Sequence, residues 1–260
     1  MNKTISIFFL AVFLTAGMFV INANAQPEAA LDPAAVSTLQ QMAKYLTGLQ
    51  SMRFQAEVEY DAVQGDGQSI EFGATREISL RRPERLRVDA TGRGGAERSL
   101  FYDGKQVALI DRTNGVYATA EQTGDIDAIL GFIEEKLHLQ IPLHELVSNQ
   151  LGEKLTSEIV FAAVVGEEFI DGVRCDHLAL RKKDRGIQVW IEQGDKPLLH
   201  RIVITYEKAP GQPQFRAIFS KWDVSPQLED SLFEFIPPKG SEKIIFESAA
   251  DIASGAKEAV

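Results

Sequence analysis

The sequence predicts an α+β protein whose main element is one antiparallel barrel or strongly curved sheet of about eleven strands. Three observations support this prediction. Strand-like alternation recurs between residues 54 and 120 and between residues 159 and 235, hairpin signals separate the strands, and helical spacing is confined to the start and one insertion. In chain order the pattern is a helix, six strands, a helical insertion and five strands. Evenly spaced short strands are typical of a single sheet that curves or closes.

The stretch from residue 164 to residue 206 carries the clearest strand signals. Asp171-Gly172 predicts a tight hairpin, because Gly adopts the positive φ that a primed turn requires. Residues 184–186 and 192–195 mark the next two reversals, with β-branched and aromatic residues between them. The stretch specifies a β-meander and contains no catalytic motif, so function must depend on what the sheet can hold.

A helix is predicted just before the first strand. Asp32 can cap its free N–H groups, and Pro33 suits the first helical turn because proline has no N–H to leave unpaired. The apolar side chains of this segment recur at helical spacing: Val36, Leu39, Met42, Leu46 and Leu49. Such a stripe must be buried, and the strands that follow provide a surface for it.

The second strand contains one exception to its pattern. Its apolar row runs through Ile70, Phe72, Ala74, Ile78 and Leu80. Arg76 lies within this row, so the alternation places a guanidinium on an apolar face.

The sequence period changes from two to about 3.6 residues between Gly124 and Leu151. Gly124–His138 predicts an amphipathic helix that begins near Asp125. Its apolar face consists of Ile126, Ile129, Ile133 and Leu137. Residues 143–151 predict a second short helix after Pro142.

Charge and cysteine content limit the class of protein. The net charge is -10, which argues against nucleic acid as a partner. Cys175 is the single cysteine, so the chain cannot form an intramolecular disulfide and its stability must come from its core. The expected organisation is a signal peptide (1–25), one domain (26–245) and a flexible C-terminal tail (246–260).

The N-terminal residues form a targeting pattern. Lys3 precedes an apolar run over residues 5–21, and Ala23-Asn24-Ala25 fits a cleavage site. We expect export to the periplasm with cleavage after Ala25. The alternative is an uncleaved membrane anchor, because the run approaches the ~17 residues that a spanning helix needs. The sequence has no cysteine near the junction, so lipid modification of the usual bacterial kind is not expected.

Cys175 and His177 lie two residues apart, so their side chains share one face of a strand. A metal pair or a Cys–His nucleophile is the functional interpretation. A metal would need further ligands, and His138, His144 and His200 lie in separate elements. We therefore expect a buried thiol beside a hydrogen-bonded histidine, with no metal site, cofactor or catalytic residue.

A group of arginines stands out in this acidic chain: Arg81, Arg82, Arg85, Arg87, Arg93 and Arg98. They could meet lipid phosphates or an acidic partner. We favour a solvated strand face that pairs with Glu77, Glu84 and Glu97, because exposed pairs of this kind are common. Residues 92–95 open no predicted helix, so they form a hairpin loop rather than a phosphate-binding loop.

Short motifs in the chain resemble those of a known superfamily. Residues 82–87 (RPERLR) and 101–105 (FYDGK) resemble the signature of the periplasmic lipoprotein-localisation (Lol) carriers and receptors. Other motifs are more similar still to a family of predicted periplasmic proteins grouped with that superfamily. These motifs are Gly166, Asp171-Gly172, residues 175–178 (CDHL), residues 188–191 (QVWI), Phe219 and Trp222. The resemblance covers nearly all of the chain after residue 25.

The resemblance implies a strongly curved antiparallel half-barrel whose apolar concave face is plugged by helices. Carriers of the superfamily hold the acyl chains of lipoproteins on that face. The helices within Gly124–Leu151, here called the plug, would fill the groove when it is empty. The resemblance also suggests that Arg76 holds the plug through hydrogen bonds to backbone carbonyls.

Aromatic side chains are numerous, and most of them are expected to be ordinary core. In an open sheet, some would line a ligand groove. The predicted groove residues are Tyr60, Phe72, Arg76, Tyr102, Trp190 and Trp222.

Three functions remain open at this point. The first is an exported, non-enzymatic protein that carries or receives a lipid or lipoprotein acyl chain. Such a protein would contact an envelope protein and, transiently, a membrane surface. The second is a periplasmic sensor or adaptor that binds a partner protein, and the third and least favoured is an enzyme using Cys175 and His177. An apolar groove, a filled interior or a polar pocket on the concave face distinguishes the three.

Overall fold

The structure is a computed structural model that describes residues 31–135 and 143–246. The predicted signal peptide, the cleavage after Ala25, Leu137 and His138, and residues 247–260 of the predicted tail lie outside the described residues. Within the described ranges, twelve strands form one sheet. The strands are β1 (Ser51–Val63), β2 (Ser69–Arg81), β3 (Arg85–Gly92), β4 (Glu97–Tyr102), β5 (Gln106–Asp111), β6 (Val116–Glu121), β7 (Phe161–Ile170), β8 (Val173–Arg181), β9 (Gly186–Glu192), β10 (Leu199–Thr205), β11 (Gln214–Asp223) and β12 (Glu242–Lys243).

The sheet consists of two antiparallel meanders joined through their first and last strands. Its order is β12-β6-β5-β4-β3-β2-β1-β11-β10-β9-β8-β7. Neighbouring strands are antiparallel, except that β12 runs parallel to β6. The sheet curves and remains open, so the predicted α+β half-barrel is confirmed. The eleven predicted strands correspond to β1–β11, and β12 was missed because two residues are too few to show alternation.

The first helix, α1 (Pro33–Gly48), forms as its sequence predicts. The Asp32 carboxylate accepts a hydrogen bond from the Ala34 N–H, which caps one of the free donors of the first turn. The stripe faces the core, and its residues Leu39, Met42 and Leu46 are fully buried. Burying each of these side chains stabilises the fold by ~1.5–3 kcal/mol.

The insertion between the two meanders contains three helical pieces. They are α2 (Ile126–Glu135), a 3₁₀ turn (His144–Val147) and α3 (Leu151–Thr156). The prediction of a single helix over residues 143–151 is therefore wrong. Leu143 has a left-handed backbone conformation and Ser148 an extended one, so the helical hydrogen bonds cannot run through the segment. The Ser148 hydroxyl donates to the Asp127 carboxylate, and its backbone turns out of the helix there.

The two faces of the sheet differ in how they are covered. One continuous apolar core joins the helices to the concave face of both meanders. The outer face carries two smaller apolar clusters, one around Phe101 and Ile110 and one around Cys175 and Trp190. The largest apolar interior of the described chain therefore lies between the sheet and the plug.

Within the described ranges, no helix has the length and apolar character needed to cross a membrane.

Candidate functional site

The concave face contains a small apolar cavity beneath the plug. Its volume is about 50 Å³, which corresponds to one or two water molecules. Its lining is Phe54, Ala56, Val58, Arg76, Ile78, Leu86, Val88, Leu100, Leu130, Leu143, His144, Leu146, Val147 and Phe219. Arg76 and His144 are the polar side chains in this lining, and no carboxylate is among them.

A larger cavity of about 490 Å³ lies against the other half of the concave face. This volume is within the range of small-molecule sites. Aliphatic side chains of β8, β9 and β10 form its floor: Leu180, Ile187, Val189, Ile202 and Ile204. Charged side chains lie at its rim, including Lys182, Asp184 and Arg185. The arrangement suits an apolar chain with a polar end.

The two cavities are separated by residues of the plug. Leu130, Leu143, His144 and Leu146 line both cavities, and they are called the wall here. Leu130 belongs to α2, and the other three lie in or beside the 3₁₀ turn. The wall is therefore the boundary that the two cavities share.

The predicted plug residues are buried where the structure describes them. Ile126 and Ile129 are fully buried, and Ile133 lines the larger cavity. Their burial fits either a movable plug or ordinary core, so movement of the plug stays a prediction. Leu137 lies outside the described residues.

Arg76 lies on the concave face between two small side chains. Its cross-strand neighbours are Ala56 on β1 and Ala90 on β3. Among the described residues, Arg76 donates no hydrogen bond and forms no ion pair. Burial lowers its pKa, and the nearby Tyr60 hydroxyl offsets part of this effect. The expected hydrogen bonds from Arg76 to plug carbonyls are not found in the described part of the plug.

Arg82 makes the contact that was expected of Arg76. Its Nη1 donates to the Val147 carbonyl at 3.1 Å and to the Asn149 side chain. The Asp127 carboxylate on α2 accepts hydrogen bonds from the Ser148 hydroxyl and the Asn149 N–H. Arg82, Asp127, Ser148 and Asn149 are called the latch here, because they tie the plug to the end of β2. Sequence reasoning missed the latch, since its members lie far apart along the chain.

Tyr60 and Phe72 form an aromatic pair at the exposed end of the concave face. Their ring centroids are 5.8 Å apart, and the residues are 44% and 46% exposed. They lie opposite each other on β1 and β2, two rows of side chains from Arg76. The structure thus brings three of the predicted groove residues to one end of the concave face, which is called the mouth here.

Tyr102 faces the concave side but does not line either cavity. It is fully buried, and its hydroxyl donates to the Gly124 carbonyl at 2.7 Å, just before α2 begins. Burial raises the pKa of Tyr102 to about 12. Tyr102 anchors the start of the plug rather than lining a groove.

The two tryptophans lie on opposite faces of the sheet. Trp222 stacks on Phe54 in the core, with ring centroids 4.3 Å apart. It faces inward because β11 contains one extra residue there, Lys221, with positive φ. Trp190 lies on the outer face and packs with Cys175, so its assignment to the groove is corrected.

Cys175 and His177 also lie on the outer face, away from both cavities. His177 contacts Glu168 at 3.1 Å and Gln188 at 3.0 Å, and its ring stacks on Trp190. Burial raises the pKa of the Cys175 thiol to about 11, so the thiolate is scarce at neutral pH. Within the described chain, no group of three potential metal ligands comes together.

The six arginines do not form one basic patch. Arg81 pairs with Asp230, Arg87 with Asp89, and Arg98 with Asp111. Arg93 pairs with Glu59 and Glu71 on the outer face, and Arg85 pairs with Glu84. Of the three expected partners, only Glu84 is used in these ion pairs of the described residues. Arg82 forms no ion pair among the described residues, and its Nε and Nη2 atoms are buried without a hydrogen-bond partner there. The other five arginines each pair with a nearby carboxylate, so the six do not form one shared basic surface.

Three solved structures illustrate the similarity of this fold to others. The lipoprotein LppX of Mycobacterium tuberculosis is similar at a TM-score of 0.48 and 17% identity, covering 76% of this chain and 100% of that one. A LolA superfamily protein of Nitrosomonas europaea is similar at a TM-score of 0.38 and 11% identity, covering 77% of this chain and 97% of that one. MucB of Pseudomonas aeruginosa, solved with MucA, is similar at a TM-score of 0.42 and 18% identity, covering 78% of this chain and 61% of that one. Similarity at this level does not bear on ligand or partner.

The family of the chain follows from a direct sequence match. A comparison with curated proteins finds no significant match. Residues 35–247 match the family described as "Predicted periplasmic protein (DUF2092)", which spans the sheet, the plug and both cavities. The resemblance seen in the short motifs is thereby confirmed, and the chain belongs to this DUF2092 family of predicted periplasmic proteins.

Proposed function

We propose that this protein is an exported, non-enzymatic carrier or receptor for a hydrophobic ligand in the periplasm. The ligand is a lipid or the acyl chain of a lipoprotein. The observation that supports this most is the pair of cavities on the concave face, one lined almost entirely by apolar residues and the other floored by aliphatic ones, with the wall between them. The family description supports a periplasmic location. Cleavage after Ala25 is part of the proposal.

The ligand enters as the wall moves away from the sheet. Each leucine of the wall that leaves an apolar contact for water costs ~1.5–3 kcal/mol. Each methylene of an acyl chain that takes its place recovers ~0.8 kcal/mol, so about two to four methylenes offset one leucine. A long acyl chain can therefore replace the wall, whereas a short one cannot.

The latch and Tyr102 keep the plug attached while the wall moves. The latch holds both α2 and the end of the 3₁₀ turn, and Tyr102 holds Gly124. The wall then rotates about the attached ends of the plug, and the whole insertion is not released.

The mouth lies at the end of the concave face opposite to the latch. It exposes Tyr60, Ile70 and Phe72, which provide apolar surface for transient contact with a membrane.

Titration of a fluorescent acyl probe tests the proposal. Ile204 lines the larger cavity, whereas Ile218 is partly exposed on the outer face of the adjacent strand. We expect saturable binding by the wild type, weaker binding after Ile204→Gln, and unchanged binding after Ile218→Gln. Absence of saturable binding, or equal effects of the two substitutions, would argue against a concave-face carrier.

A second candidate function is a sensor or adaptor that binds an extended segment of a partner protein. It is favoured by β7, which lies at the edge of the sheet and exposes Val165 and Phe169, the latter at 71%. Edge strands accept an added strand through their free backbone groups. A Phe169→Ser variant that loses an envelope partner but still takes up the acyl probe would assign partner binding to β7.

A further inference from the structure

Arg76 lies at the depth where the concave face changes from buried to exposed. Along β2, Leu80 and Ile78 are buried, whereas Phe72 and Ile70 are exposed at the mouth. Arg76 lies between these two pairs and lines the small cavity. A molecule that enters at the mouth with its apolar end inward would therefore bring its other end close to the guanidinium.

The guanidinium of Arg76 has no protein partner among the described residues, although it is half-buried rather than enclosed. Alanines flank it on both neighbouring strands, and the lining of the small cavity contains no carboxylate. Among the described residues, no hydrogen bond or ion pair to the guanidinium is formed. Arg98 provides a contrast, since it lies opposite Ala90 in the same row and pairs with Asp111 at 3.0 Å. Because the guanidinium is only half-buried, an anion can reach it, and no carboxylate in the cavity lining competes for it.

We propose that Arg76 binds the anionic head group of a single-chain amphiphile, a carboxylate or a phosphate monoester, whose acyl chain extends inward along the concave face. This inference rests on the proposed carrier function and adds a class of ligand to it. A guanidinium suits both head groups because it donates two parallel hydrogen bonds to the oxygens of either one. The neighbouring alanines leave lateral space for the head group, and the displaced wall leaves space for the chain.

Three ligands with one chain and different heads test the inference: dodecanoate, dodecyl phosphate and methyl dodecanoate. Each is titrated as a competitor of the fluorescent acyl probe. A charged hydrogen-bonded pair should favour the anionic heads over the ester by about tenfold or more. The ratio between dodecanoate and dodecyl phosphate identifies which anion the site prefers, and either preference supports the proposal.

Two variants of Arg76 and one control isolate the guanidinium. Arg76→Gln should abolish the preference for anionic heads and leave methyl dodecanoate binding unchanged. Arg76→Lys should keep part of the preference, because a lysine supplies charge without the paired donors. Arg98→Gln, in the same row, should leave the preference intact. Arg76→Gln should also melt at or above the wild-type temperature, because it removes an unpaired charge.

The outcomes separate the head-group inference from the carrier function. If the wild type binds the ester as tightly as the anions, or if Arg76→Gln keeps the preference, the inference is wrong and the carrier function stands. If none of the three ligands displaces the probe and the probe itself does not bind, the carrier function is wrong and the inference is overturned with it.

Discussion

At the scale of single residues, charged groups outside the cavities serve the fold. Asp61 on β1 accepts hydrogen bonds from Arg216 and from the Gln214 N–H, both on β11. Burial alone would raise the pKa of Asp61, but the bonds from Arg216 and Gln214 outweigh it and the pKa is lowered. These bonds join the two meanders near the mouth.

The lowered pKa of Asp61 predicts a contribution to stability that depends on pH. Since the folded pKa lies below the unfolded value, the contribution is present above the unfolded pKa of about 3.9 and is lost as pH falls through the folded pKa. Asp61→Asn should lower the free energy of unfolding by about 1 kcal/mol at pH 7. The difference should shrink as pH falls below about 4. Urea unfolding at pH 7 and at a pH below about 4 measures this difference, with Glu57→Gln as the exposed control. A deficit that does not change with pH would show that the carboxylate charge is not responsible.

Cys175 illustrates a residue whose chemistry is suppressed by its position. Its raised pKa and full burial predict that the native thiol reacts with a thiol reagent at neutral pH only after unfolding in urea. Cys175→Ala should leave acyl-probe binding intact and lower stability by ~1–2 kcal/mol. Rapid labelling of the native protein, or stoichiometric zinc that the variant loses, would contradict a structural role.

At the scale of elements, local patterns predicted the strands well and the functional contacts poorly. Alternation and turn residues are local, so β1–β11 and α1 could be read from the sequence. The latch depends on Arg82 meeting the Val147 carbonyl across the insertion, and no short pattern encodes that contact. Trp222 faces inward only because of the extra residue at Lys221, whereas the outward position of Trp190 follows from alternation with Val189 and Ile191.

The plug can be a movable cover or an ordinary part of the core, and the two interpretations predict different effects of substitutions in α2. Replacing Ile129 and Ile133 with alanine should weaken the closed state and tighten binding of the acyl probe. If α2 is ordinary core instead, the alanine variant should melt at a lower temperature and bind the probe no more tightly. Each cavity that the truncated side chains leave would cost ~2–5 kcal/mol of stability. A double Ile→Val variant provides a milder change of about 0.5–1.5 kcal/mol at each site.

A matched control separates the plug from general destabilisation. Ile110 is also buried, but it belongs to an apolar cluster on the outer face. Ile110→Val should lower the melting temperature without tightening binding. If the variants at Ile129 and Ile133 bind the acyl probe more tightly and Ile110→Val does not, the plug is movable. If all variants bind the probe equally, α2 is a fixed part of the core.

At the scale of the whole molecule, the open sheet and the helices share one continuous apolar core. An open sheet has a concave face that must be covered, and α1 and the plug cover it. In the part of the chain that the structure describes, the helices leave space on the concave face, with one cavity on each side of the wall. The fold class could be predicted from the strand and turn pattern, and the plug's location from the resemblance to the Lol superfamily. The cavities could not, since they depend on how side chains from both meanders meet.

The central claim is that the interior holds a lipid or acyl chain. Native mass spectrometry of the protein purified gently from its own envelope tests it most directly. We expect a population whose mass exceeds that of the chain by one lipid molecule, which is lost on delipidation and restored by adding the acyl chain ligand. A single population at the mass of the bare chain, with no uptake after delipidation, would contradict the claim.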